Sequence, residues 1–201
     1  MPERNRVTPL GDVKALPLRG AWTGNRGVLH EGHEIVRFHA SDLWITCALT
    51  FRDHGREQWL PRRWTHLFFH DEAVAFAAGH RPCCECRRGD YLAYRDRWPG
   101  PRPSAREMNR QLHGERIVRG THRRRLHELP ARGLPDGAFV LLDGRSELVL
   151  GVSLVEWTSE GYAARRPRPL HGSVPVITPP STVAVLRAGY PVQIDASAVG
   201  R

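Results

Sequence analysis

Short runs of β-branched and aromatic residues, separated by turn formers, dominate the first seventy positions. Residues 27–30, 35–38, 43–51 and 64–69 each read as a strand on this pattern. The last run ends at His70-Asp71, where Asp71 can cap a short helix over 72–78 that Gly79 stops. The period then lengthens. Tyr91, Leu92, Tyr94, Arg95 and Trp98 fall at helix spacing before the Pro- and Gly-rich break at 99–103. Ser104 and Glu107 form a capping box for a second helix, whose apolar side is Met108, Leu112 and Ile117.

Strand patterning returns from Leu134. Residues 138–142 and 148–155 flank Asp143-Gly144 as a hairpin, and 174–177 reads as an edge strand because Pro175 cannot donate to a ladder. Pro179-Pro180-Ser181 opens a last helix over 182–188, closed by Gly189. Together these elements predict an α+β fold, mainly antiparallel sheet with short helices and one zinc site. They divide into a zinc-binding region over 1–100, an Arg-rich helical connector over 101–133 and a β-rich region over 134–201, packed as one unit. No run approaches the length of a membrane helix, and no apolar segment follows the N-terminus, so a cytoplasmic protein is expected.

Four cysteines are too few and too clustered for a disulfide framework: Cys83, Cys84 and Cys86 lie within four positions. Cys83 and Cys86 instead have the Cys-x-x-Cys spacing that lets two thiolates converge on one Zn2+. Cys47, on a predicted strand far upstream, is the expected third ligand, and His30 is favoured as the fourth over His66, His70 and His80. The competing readings are a buried core role for Cys47 and a redox pair, which lacks its usual βαβ setting here.

Residues 68–87 resemble the second half of the zinc-binding domain of the Ada family of bacterial alkylation-response DNA repair proteins. The likeness is carried by Phe68-Phe69, by Glu72-Ala73 and Ala77-Ala78-Gly79 in the short helix, and by Arg81-Pro82-Cys83-Cys84-Glu85-Cys86-Arg87. It implies zinc binding and a DNA partner. In that family two further cysteines, three residues apart, precede this half, and one accepts a methyl group from DNA. Here only Cys47 lies upstream.

The net charge of +9 raises the expectation of a polyanionic partner, DNA or RNA. Residues 102–132 carry nine Arg against three Glu, with Arg116, Arg119, Arg123, Arg124 and Arg125 densest. These five are the expected phosphate contacts, since the guanidinium fork donates paired hydrogen bonds to phosphate. The competing reading is a solvated helix face with its loop. Residues 165–169 form a second, smaller basic segment that reads as a loop.

For catalysis, no Gly-x-Ser-x-Gly elbow, His-Glu-x-x-His or zinc-deaminase signature occurs. His113-Gly114-Glu115-Arg116 could act on a phosphodiester, although a polar helix end explains it as well. The enzyme alternatives are therefore a zinc-thiolate alkyl acceptor, a nucleic-acid hydrolase, or a small-molecule enzyme with its site between the two β-rich regions.

Overall fold

The computed structural model describes residues 2–52 and 57–200. In chain order its elements are β1 (Arg4–Val7), β2 (Val13–Ala15), β3 (Trp22–Asn25), β4 (His30–Glu31), β5 (Glu34–Ile35), β6 (Ile45–Cys47), β7 (Leu67–Phe69), α1 (Glu72–Ala77), β8 (Arg81–Pro82), α2 (Arg88–Asp96) and α3 (Ala105–Arg116). There follow β9 (His127–Pro130), β10 (Phe139–Leu142), β11 (Arg145–Leu150), β12 (Ser153–Thr158), β13 (Gly161–Pro167), β14 (Ser173–Val176), α4 (Pro180–Arg187) and a 3-10 turn at Ala196–Ala198. The class is α+β with mainly antiparallel sheet, as the sequence pattern predicts. No helix among the described residues is long and apolar enough to cross a membrane.

Two six-stranded sheets carry the fold, one ordered β2-β1-β7-β3-β6-β8 and the other β13-β12-β11-β10-β14-β9. Between them lies α1. All of its residues are buried, which is why it is Ala-rich and has no polar face. Ala75 faces the first sheet with Val7, Leu67 and Phe69, whereas Ala73, Val74 and Ala77 meet Phe139, Leu148 and Tyr162 of the second. Phe76 enters a third cluster with Tyr94, Met108 and Leu112, through which α2 and α3 join the core. Asp71 caps α1 by accepting from the Val74 N–H at 2.8 Å. After α1 the chain turns at Gly79, whose φ is +87°. A Cβ there would lie 2.6 Å from Arg116 Cδ, so both the turn and the packing call for glycine.

Several predicted strands are shorter than their apolar runs. The run at 43–51 yields only β6, because Trp44 before it turns its ring into the core and the partner β8 is just two residues long. Of residues 27–38 only His30–Glu31 and Glu34–Ile35 are strand, paired as the short β4–β5 hairpin. The stretch expected to be mostly helical, 83–130, contains α2 and α3 but closes with strand β9, which pairs with β14. The β10–β11 hairpin turns at Asp143 and Gly144, both at positive φ, as a two-residue type I′ turn requires. β14 is an interior strand, contrary to the edge position expected from Pro175. Its ladder to β10 is the single pair Val140↔Val176, so Pro175 is not asked for an N–H on that side. The expected basic loop at 165–169 is largely strand: Arg165 and Arg166 lie on β13, and Arg166 pairs with Glu147 of β11 at 2.6 Å.

Candidate functional site

β6 and β8 run parallel, with Ile45 opposite Arg81 and Thr46 opposite Pro82. Cys47 comes next as the last residue of β6, and Cys83 comes next just past the end of β8. This register therefore sets Cys47 beside Cys83, and the Cys83 N–H donates to Thr46 O at 2.9 Å. The turn after Cys83 brings Cys86 back, and the sulfurs of Cys47, Cys83 and Cys86 lie within 4.8 Å of one another. Thiolates on one tetrahedral Zn2+ at 2.3 Å stand roughly 3.8 Å apart, so a modest closure of these sulfurs fits such an ion. Cys84 is exposed and outside the group.

The electrostatics of the triad point the same way. The Cys83 thiol is pulled down to about 5, first by a hydrogen bond from Cys47 and then by the N–H groups of Glu85 and Cys86, against the effect of burial. Cys47 is pushed up, chiefly because its proton is held by Cys83, and burial pushes Cys86 up. Of the three thiols, Cys83 alone is drawn below its ordinary range, at the expense of its two neighbours. A divalent cation in their midst would let all three ionise. The Glu85 N–H, 3.4 Å from Cys83 Sγ, is the kind of backbone donor that steadies a thiolate ligand.

The loop is held from beneath by Arg87, one residue past Cys86. Its guanidinium donates to Thr46 Oγ1, to Asp90 and to the buried carboxylate of Glu72, and lies 3.7 Å from the Trp22 ring centroid.

His30, the favoured fourth ligand, does not join the sulfurs. It is buried with Nδ1 2.6 Å from Thr65 Oγ1 and Nε2 3.2 Å from Leu60 O, so both ring nitrogens are engaged elsewhere. Among the other histidines considered, His66 stacks on Trp64, His70 faces Asp195, and His80 accepts from Arg26. Among the described residues no His, Asp or Glu stands with the three cysteines.

The Arg-rich stretch divides into two populations. Met108, Leu112 and Arg116 sit at successive i+4 positions of α3, so the face that buries the first two buries the third. Arg116 is fully buried and donates to Gly79 O and Asp42 O, both at 2.8 Å. Beyond it the chain doubles back through the bridge Ile117↔Arg124. Arg124 points inward to Ala77 O and Ile177 O, while Arg119 and Arg123 are exposed and Arg125 is half-buried. The expectation that all five meet phosphate is thus corrected for Arg116 and Arg124, whose guanidinium groups are turned to backbone carbonyls.

Sequence reasoning missed what surrounds Arg116. Trp44 lies between two guanidiniums, with Arg26 4.0 Å and Arg116 3.9 Å from its ring centroid. His80 is buried against the same ring, and His39 and His113 approach it from the solvent side. No local spacing links residues 26, 39, 44, 80 and 113; only the tertiary fold does. Comparison with known proteins found no matching family model, no matching curated protein and no matching solved structure.

Proposed function

We propose that the chain is a zinc-binding protein that docks on nucleic acid, with the metal structural. The thiolates of Cys47, Cys83 and Cys86 would hold the ion and fix the β8 edge and the loop into α2. The observation that carries the reading is the convergence of three sulfurs from two strands and a turn. That donor set suits zinc among the abundant metals, because thiolate is a soft ligand. The resemblance of residues 68–87 to the Ada zinc domain supports the same metal and a DNA partner. Of the five arginines expected to meet phosphate, the exposed Arg119 and Arg123 and the half-buried Arg125 remain available for it.

Elemental analysis of protein purified without added metal tests the first half. About one zinc per chain is expected, retained in Cys84→Ser and lost in Cys83→Ser. Metal-free, fully folded wild-type protein overturns it. Binding of a labelled DNA duplex at two salt concentrations tests the second half, since displaced counterions make phosphate contact steeply salt-dependent.

A further inference from the structure

Three guanidiniums, those of Arg26, Arg116 and Arg124, meet in the interior beside Trp44 and His80. Their hydrogen bonds run to backbone carbonyls and imidazole nitrogens. Among the described residues no carboxylate forms an ion pair with any of them. Asp12 and Asp42 act on Arg26 and Arg116 only at longer range. Buried cations are normally paired with an anion, and here the pairing is incomplete. Among the described residues Arg26 Nη2, Arg116 Nε and Arg124 Nε are buried donors that meet no acceptor.

Above this cationic floor stand three imidazoles from three separate segments. The His39 and His113 rings are 5.0 Å apart, and His39 and His122 are 6.1 Å apart. His113 Nδ1 lies 3.1 Å from Arg116 Nη2, which ties the outer group to the inner one. His39 and His113 are half-buried and His122 is exposed, so the cluster opens to solvent. Imidazoles at such distances also suggest a metal, but the arginines beneath raise the potential and oppose a cation. They favour an anion. The positive field draws down the His39 and His113 pKa values, after burial, and an anion seated on the rings would relieve it.

We propose that His39, His113 and His122, lying over the Arg26–Trp44–Arg116 stack, form a binding site for a phosphate group. A tetrahedral oxyanion can accept one N–H from each ring on separate oxygens. Arg116 supplies charge beneath and Arg123, next to His122 in the chain, supplies it at the rim. The inference rests neither on the zinc reading nor on nucleic-acid binding.

The test is titration of the full chain with inorganic phosphate at constant pH and ionic strength, followed by NMR of the histidine ring signals. Saturable shifts are expected for His39, His113 and His122 but not for His171, which is exposed elsewhere. Replacing both His39 and His113 by Gln should weaken binding by about tenfold or more, the scale of a lost charge-assisted hydrogen bond. Parallel drift of all histidines, or equal affinity in the Gln variant, overturns the proposal; the wild-type titration decides even if that variant folds poorly. A short oligonucleotide that reproduces the shifts identifies the phosphate as a nucleic-acid backbone, and phosphate acting without such an effect identifies a small phosphate-bearing molecule.

Discussion

The guanidinium of Arg87 is paired with the carboxylate of Glu72 in the interior, their side chains only 3% and 2% exposed. The pair joins the cysteine loop to α1, the helix around which both sheets pack. Tyr190 Oη and the Gln193 N–H also donate to Glu72, at 2.9 and 3.0 Å, so the carboxylate is well supplied. Burial nevertheless holds its pKa above the ordinary carboxylate range, with Arg87 opposing. Arg87→Met should therefore cost about 3–5 kcal/mol in denaturant unfolding, because it strands a buried carboxylate. Adding Glu72→Gln to that variant should restore part of the loss. Additive costs would show that the two side chains act independently.

Zinc uptake is expected to release protons. Cys83 is the readiest thiolate, while Cys47 and Cys86 are held protonated at neutral pH, so binding should expel about two protons per metal ion. Calorimetry in buffers of different ionisation enthalpy measures that number, and apparent affinity should fall as the pH is lowered. A pH-independent affinity between 6 and 8, roughly the range where such thiols bind protons in competition with metal, would contradict the three-thiolate shell.

The two populations of arginine should separate in experiment. Arg116→Ala should lower stability by about 1–3 kcal/mol, because it leaves the carbonyls of Gly79 and Asp42 without the donor they now have. Arg119→Ala with Arg123→Ala should change stability by no more than about half a kcal/mol. If those two meet nucleic-acid phosphates, they should flatten log K against log salt by about 0.9 per lost contact on duplex DNA. Thermal melts beside duplex titrations at several salt concentrations provide both readings.

His80 introduces a pH dependence of known sign. Burial, followed by repulsion from Arg26, Arg116 and Arg124, holds its pKa well below the ordinary 6.5. The folded protein thus binds fewer protons than the unfolded chain below that value. The His80 contribution to stability is full above pH 6.5 and declines as the pH falls towards the folded-state value, with a slope of at most about 1.4 kcal/mol per pH unit. His80→Gln should flatten the acid limb of a stability profile measured by denaturant titration. An unchanged limb would assign the acid sensitivity to other groups.

What was legible in the sequence follows from how local each signal is. Asp71, Ser104 and Asp143-Gly144 mark a helix start, a capping box and a hairpin turn through bonds made within a few residues, and all three form as predicted. The placement of Cys47 beside Cys83 was readable only as chemistry seeking a third ligand, since a parallel β6–β8 register leaves no periodic trace. His30 illustrates the reverse. A histidine next to a predicted strand looks available in sequence, yet Thr65 and Leu60 take both its nitrogens through contacts more than two dozen positions away. Charge misled in the same way. Arg116 counts as basic surface in a composition window, although helix periodicity aligns it with Met108 and Leu112, and the side-chain spacing alone could have shown it facing inward.

β8 consists of Arg81 and Pro82 alone and forms the outermost strand of its sheet. A bridge between Cys47 and Cys83 would close a loop of roughly 36 residues, and by the chain-entropy arithmetic used for covalent cross-links that constraint is worth on the order of 3–4 kcal/mol. Its removal would act first at the margin of the sheet. With β8 detached, β6 would present unpaired N–H and C=O groups to solvent, a template on which another chain can add a strand. Chelation should therefore appear as self-association at concentrations and temperatures where the rest of the molecule is still folded.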